Sequence, residues 1–172
     1  DLRPTTLRKR MKIPRNVGVV SYLQGRTTLE ESISATPYEN MFFLDAETRV
    51  PNPVELISSD AFSELIKNAD RPVKVLNLFA YTGGATLAAA NAGASVCHVD
   101  ASKGMVAWGK DNAISSGVAD KSVRWLVDDC GKFVEREIRR GRKYDGIVIN
   151  AGGYTHSSVA IPDAISTAAA KK

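Results

Sequence analysis

From Val73 onward the chain alternates short apolar runs with helical stretches, and this alternation constrains the architecture more than any other feature. Val73–Phe79 has the length and character of a buried strand, Tyr81-Thr82-Gly83-Gly84 of a turn, and Ala85–Ala92 of an alanine-rich helix ending near Gly93. Ser95–Val99 is a second strand stopped by Asp100, Lys103–Ser116 a helix ended by Gly117, and Ser122–Val127 a third strand. Phe133–Arg140 is a helix ended by Gly141, and Tyr144–Ile149 is a fourth strand. Ser157–Ala170 reads as a last helix, with Pro162 restricting where it begins. Strand and helix units at this spacing predict an α/β fold, a parallel sheet with helices on both faces and right-handed crossovers.

Residues 1–70 have a different texture. They hold Pro4, Pro14, Pro37, Pro51 and Pro53 and only short apolar runs, so they read as a basic arm and irregular extension preceding a periodic domain over 71–172. Gly18–Leu23 and Met41–Leu44 are expected as short strands. Residues 55–68 are expected as one amphipathic helix with Leu56, Phe62, Leu65 and Ile66 on its apolar side, Ser59 or Asp60 at its N-cap and Pro72 beyond its end.

With 44% apolar and 24% charged residues in 172, the composition is that of a globular domain and excludes wholesale disorder. No apolar run approaches the ~20 residues of a membrane-spanning helix. Cys97 and Cys130 lack metal or redox spacing, Cys97 falls inside a strand as core packing, and His98 and His156 are the only histidines. No metal site is expected, and a reducing, cytoplasmic setting is the default. The Arg- and Thr-rich, acid-poor start also has the texture of an organelle-targeting segment. The net charge of +4 is unevenly placed. Arg3, Arg8, Lys9, Arg10, Lys12 and Arg15 are opposed only by Asp1, and Lys132, Arg136, Arg139, Arg140, Arg142 and Lys143 surround a helix end. Such clusters attract phosphates by releasing counterions, or are simply solvated faces.

In a parallel sheet a ligand lies beyond the carboxyl ends of the strands. Three features fall there. The glycines of Tyr81–Thr86 let the backbone approach a ligand closely. Asp100, 17 positions after Gly83, is placed to accept hydrogen bonds from both hydroxyls of a ribose. Asp128-Asp129-Cys130 follows the third strand, where a carboxylate or amide meets the edge of a purine. Each feature also has a plain reading as a tight turn or a helix N-cap. The loop is neither G-x-G-x-x-G nor G-x-x-x-x-G-K-[ST], which disfavours a nicotinamide dinucleotide and a nucleoside triphosphatase.

The stretch Val75-Leu-Asn-Leu-Phe-Ala-Tyr-Thr-Gly-Gly-Ala-Thr86 resembles the class I S-adenosylmethionine-dependent methyltransferases, in the branch related to ribosomal-RNA cytosine methyltransferases. The resemblance continues through His98-Val-Asp-Ala-Ser102, Asp111-Asn-Ala113, Trp125-Leu-Val-Asp-Asp-Cys130 and Tyr144-Asp-Gly146, covering about residues 73–149. It implies a three-layer Rossmann-like sheet, truncated relative to a full methyltransferase, with S-adenosylmethionine as cofactor and RNA as acceptor. Asn77, Phe79, Tyr81, Gly83 and Gly84 would then line the methionine portion, Asp100 would hold the ribose and Asp129 the adenine amino group. Ser102 would complete the cofactor-binding set. The family continues its fourth strand into Asp-Pro-Pro and an aromatic residue; this chain has Ile149-Asn150-Ala151-Gly152-Gly153-Tyr154. That replacement predicts absent or very slow methyl transfer, and no catalytic residue is assigned.

Residues 149–165, Ile149-Asn-Ala-Gly-Gly-Tyr-Thr-His-Ser-Ser-Val-Ala-Ile-Pro-Asp-Ala-Ile165, resemble the substrate-binding segment of type II 3-dehydroquinate dehydratases instead, and Gly25-Arg-Thr-Thr-Leu-Glu-Glu31 also resembles that family. The matching Asn150, His156 and Asp163 would bind substrate or a neighbouring subunit. Three functions stay open on the sequence: a methyltransferase-like domain, a dehydratase-like lyase, and a non-catalytic RNA-binding or structural module. A chimeric, a designed and a diverged chain would each produce the junction at the fourth strand.

Overall fold

A computed structural model describes residues 8, 12–13, 17–48 and 51–150, with only the backbone at Pro53 and Val54. The chain forms two compact units: one is residues 57–150, and the described part of the other lies within residues 1–56.

The first unit corrects one expectation. Residues Val19–Leu23 form a helix, α1, rather than a strand. The β-branched pair Val19-Val20 favours extended backbone, but three amide groups at the start of the helix find acceptors far along the chain. Val19 N–H donates to the Asp45 carbonyl at 2.8 Å, and Val20 and Ser21 N–H donate to the Glu47 carboxylate at 3.2 and 2.7 Å. Helix starts leave such donors orphaned, so this tertiary cap outweighs local propensity. Leu29–Ser32 is α2, and Ser34–Ala35 (β1) pairs antiparallel with Phe42–Phe43 (β2), the latter within the expected strand at 41–44. The segment Gly25–Glu31 has a structural explanation: Gly25 takes φ 68 after α1, and Thr28 and Glu31 form a reciprocal capping box at α2.

The expected single helix at 55–68 is two, Pro53–Ile57 (α3) and Asp60–Lys67 (α4). Ser59 separates them because its hydroxyl accepts the Phe62 N–H and caps α4. The remaining elements follow the sequence pattern: Lys74–Leu78 (β3), Gly84–Asn91 (α5), Ser95–Asp100 (β4), Lys103–Ser115 (α6), Val123–Val127 (β5), Cys130–Arg139 (α7) and Gly146–Ile149 (β6). The last helix starts three residues earlier than the apolar pattern suggests, because the Asp129 side chain accepts the Lys132 N–H at 2.9 Å. The final helix expected at 157–170 lies outside the described residues.

The four strands form one parallel sheet in the order β5-β4-β3-β6. The connections β3-α5-β4 and β4-α6-β5 step one way, and α7 then crosses the whole sheet to β6. Right-handed crossovers therefore put α5 and α6 on one face and α7 on the other. Side chains agree with the period of two along β4. His98 meets Thr86 of α5, whereas the neighbouring Cys97 is surrounded by Tyr144, and by Glu137 of α7. On the α5 face Ile66, Val75, Ala89, Ala90, Ala92, Ala94 and Val96 form a buried cluster, with Phe62, Val73, Val123 and Val148 packed against it. The small alanine side chains of α5 allow that helix to lie close on the sheet. On the other face Cys130, Phe133 and Val134 are buried.

Gly109 of α6 is the tightest packing point of this unit. A Cβ there would stand 2.8 Å from Cζ3 of Trp125, whose ring centroid is 4.5 Å from that of His98. Gly109→Ala is expected to cost about 1–3 kcal/mol by overpacking, despite the better helix propensity of alanine. Gly104→Ala in the same helix meets only Ser102 Oγ at 3.9 Å and is expected to be neutral or stabilising. Urea unfolding of the two variants measures the contrast; equal stability would contradict this packing.

Candidate functional site at the carboxyl edge of the sheet

All four strands exit at one edge, and the loop from β3 to α5 crosses it. Phe79 and Tyr81 hold φ values of 53° and 51°, a region that only glycine enters without cost, and Gly83 follows at 89°. Strain of this kind persists only where surrounding groups overdetermine it. Here the loop is pinned at several atoms. Phe79 N–H donates to Cys130 Sγ at 3.2 Å, Ala80 N–H to the Val99 carbonyl at 3.1 Å and Tyr81 N–H to Asp100 Oδ2 at 2.9 Å. Asn112 of α6 donates through Nδ2 to the Thr82 carbonyl at 3.0 Å.

Asp100 is the hub. Its second oxygen, Oδ1, accepts the Ser102 N–H at 2.8 Å, and its carbonyl accepts the Asp128 N–H at 3.0 Å. The carboxylate thus ties the β3–α5 loop to the start of α6, and the backbone carbonyl of the same residue holds the exit of β5. Each carboxylate oxygen has a further lone pair, and the residue is only partly buried, so it can still accept hydrogen bonds from a ligand. Beside it, Tyr81 and Val127, the β-register partner of Asp100, are 53% and 52% exposed. Apolar surface next to a few convergent polar groups suits a ligand with a planar ring and hydroxyls.

The structure brings Tyr81, Asp100 and Ser102 into direct contact and sets Gly83 and Gly84 between them and α5. A Cβ on Gly84 would meet nothing within 4 Å, so the start of α5 is open. Ser102 also caps α6, accepting the Met105 N–H at 3.3 Å. Asp129 is exposed and caps α7, as one reading of its position anticipates. Asn77 points into the interior rather than toward the edge: it is 2% exposed and donates through Nδ2 to Thr86 Oγ1 at 2.9 Å. Asn150 follows β6 and donates its N–H to the Leu78 carbonyl at 3.0 Å, so the fourth strand exit joins the same edge. His156 and Asp163 lie outside the described residues. Among the described residues no group of three or more His, Cys, Asp or Glu could hold a metal ion.

Three contacts that support the loop are not evident from the sequence: Cys130 to Phe79, Asn112 to Thr82 and the buried pair Thr86–His98. Nothing in the local sequence signals them, because each acts on a backbone or side chain at least 12 positions away. The basic clusters are also partly absorbed by structure. Arg8 pairs with Asp45 at 3.2 Å, Arg136 pairs with Asp128, and Arg140 and Arg142 share Glu137. Lys12 is exposed, whereas Arg3, Lys9, Arg10 and Arg15 lie outside the described residues. No helix among the described residues is long and apolar enough to cross a membrane.

Beneath the loop, Thr86 Oγ1 lies 3.0 Å from His98 Nδ1. Since Asn77 already donates to this hydroxyl, its proton is free for Nδ1, which leaves the imidazole neutral with Nε2 unpartnered. Burial disfavours the charged ring and pushes the His98 pKa down to about 4, although the Asp100 charge pulls the other way. Below about pH 6.5 the unfolded chain binds a proton that the folded chain refuses, so folding stability is expected to fall as pH drops from about 6.5 toward 4 and to level off above. Denaturant unfolding across this range measures it. The slope should diminish in His98→Gln, and an unchanged slope would contradict a neutral buried ring.

The chain is similar to several known proteins. Ribosomal RNA large subunit methyltransferase K/L from Shewanella baltica is 36% identical over 94 residues, 54% of this chain and 13% of that protein. A protein of Methanocaldococcus jannaschii assigned as a ribosomal RNA large subunit methyltransferase is 27% identical over 163 residues, 92% of this chain and 39% of that protein. The crystal structure of a SAM-dependent methyltransferase from Agrobacterium tumefaciens superposes with a TM-score of 0.54 at 40% identity, over 69% of this chain and 36% of that one. The chain therefore spans well under half the length of these relatives. Residues 121–172 match the family model of class II dehydroquinase, a segment that begins before β5 and continues beyond the described residues. The chain is thus similar, in sequence and in its Rossmann-like α/β fold, to the S-adenosylmethionine-dependent methyltransferases, and its last third to the class II dehydroquinases.

Proposed function

We propose that residues 57–150 form an S-adenosylmethionine-binding core of methyltransferase type that acts on RNA if it is catalytically competent. The observation that carries this reading is the Asp100 carboxylate at the carboxyl edge, holding a left-handed loop open beside exposed Tyr81 and Val127. When bound, S-adenosylmethionine supplies an electrophilic methyl group on its sulfonium sulfur. In this reading the free lone pairs of Asp100 accept the ribose hydroxyls, while Gly83 and Gly84 leave room for the methionine portion. Phe79 and Tyr81 flank that portion, and Asn77 supports the strand beneath it. Ser102 and Asp129, whose side chains cap the two helices, border the nucleoside. The RNA assignment rests on the names of the relatives, two of which are ribosomal RNA methyltransferases or assigned as such.

Isothermal titration with S-adenosylhomocysteine tests the binding. Asp100→Ala is expected to weaken it by about 1.5–3 kcal/mol, the range for hydrogen bonds to a charged group, and Asp111→Ala, exposed on α6, to leave it unchanged. Thermal melting of both variants separates ligand contact from loss of the loop. Equal losses at the two positions, or no heat with the parent chain, would remove the assignment.

Turnover is a separate question. Asn150 stands after β6 where the resembling family carries Asp, and an amide cannot take up a proton as a carboxylate can. The expected outcome is absent or very slow methylation of ribosomal RNA. The dehydroquinase match over 121–172 supports a second reading, in which Asn150, His156 and Asp163 bind a small hydroxylated acid. Trans-elimination needs both a base and an acid, and His156 supplies one polar contact with neither a Tyr–Arg pair nor a second histidine assigned beside it. No dehydration of 3-dehydroquinate is therefore expected in an ultraviolet absorbance assay. Turnover that vanishes in His156→Ala would put the lyase reading first.

A further inference from the structure

The residues that the site leaves unused gather at the opposite edge of the sheet. Helix α7 runs against the strands and ends at their amino edge, where Arg139, Arg140, Arg142 and Lys143 lead into β6. Arg124, the second residue of β5, belongs to the same edge and the same face. Burial raises the pKa of the Cys97 thiol, while the nearby guanidinium groups of Arg124 and Arg142 both oppose that rise. All five cations are exposed.

A buried carboxylate organises this surface. Glu137, 3% exposed, accepts the Tyr144 hydroxyl at 2.6 Å and Arg140 Nη1 at 3.2 Å, and lies 3.8 Å from Arg142 Nε. Arg140 commits one of its five donors to Glu137 and Arg142 only an ion-pair contact, and their side chains remain 54% and 59% exposed. Most of their donors are therefore free, and a planar guanidinium fork matches phosphate oxygens. Cations at a helix C-terminus also complement its dipole, but that accounts for Arg139 and Arg140 and not for Arg124 on a strand. Among the described residues no ion pair joins Arg124, Arg139 or Lys143 to a carboxylate.

We propose that Arg124, Arg139, Arg140, Arg142 and Lys143 form a docking surface for the phosphate backbone of an RNA strand, at the edge of the sheet opposite the candidate cofactor site. The strands between the two edges are four to six residues long, roughly 15–20 Å, so a single nucleotide does not reach both. A polyanion does. This rests on the RNA acceptor of the proposed function, and its test separates the two.

Binding of a fluorescently labelled single-stranded RNA is followed by anisotropy between 0.05 and about 0.3 M salt, on the full chain and on the triple variant Arg124→Gln, Arg139→Gln, Lys143→Gln. The variant keeps Arg140, Arg142 and Glu137, and its melting temperature should match that of the parent. Three lost phosphate contacts are expected to flatten the log K against log salt slope by about 2 and to weaken binding at 0.1 M salt on the order of a hundredfold. Binding of S-adenosylhomocysteine should not change. An unchanged slope and affinity, or no RNA binding by the parent chain, would overturn the proposal. So would tighter, charge-dependent binding to anionic phospholipid vesicles than to RNA. RNA binding that is lost in the variant of a chain that takes no S-adenosylhomocysteine would uphold this surface and remove the cofactor reading.

Discussion

The architecture of the carboxyl edge depends on one carboxylate. Asp100 ends β4, and its two oxygens accept amide protons from Tyr81 in the preceding crossover loop and Ser102 at the start of the next helix. Backbone donors at such junctions have no partner within their own element, and leaving them without a protein acceptor has a cost even at this exposed edge. A residue with φ 51 adds to that cost. By satisfying both donors at once, Asp100 joins Cys130, Val99 and Asn112 in holding the loop at its left-handed backbone angles. The same group is the one proposed to receive hydroxyls from a ligand, which would couple structure and recognition at a single side chain.

The same device recurs wherever the chain departs from its local preferences. Glu47 caps α1 from 26 and 27 residues away, and the Asp145 carboxylate accepts the Lys74 N–H at the entrance to β3 while pairing with Arg71. Cys130 holds Phe79 from 51 residues away. Glu137 draws Arg140, Arg142 and Tyr144 together behind β6. Glu47, Asp145 and Cys130 are remote in sequence from the backbone they fix, whereas Glu137 acts within seven residues.

This explains what could be read from the sequence. The parallel sheet was legible because every strand from Lys74 to Ile149 is a short apolar run, and glycines at 93, 117 and 141 take positive φ after the intervening helices. The turn at Tyr81–Gly84 and the acid at Asp100 were legible because both lie where strands end. The helix at Val19–Leu23 was not, since its capping groups come from Asp45 and Glu47. Nor was the interior role of Asn77, whose amide serves Thr86 inside the core. A count of charges likewise overstated the free basic surface, because Arg8, Arg136, Arg140 and Arg142 each have an acidic partner in space.

The proposed function places the ligand at the edge organised by Asp100. Amide chemical-shift mapping on addition of S-adenosylhomocysteine tests it residue by residue. The expected result is saturable shifts at Tyr81, Gly83, Asp100 and Ser102, with Arg139 and Lys143 at the far edge unmoved. Shifts confined to the far edge, or none at saturating ligand, would contradict the claim.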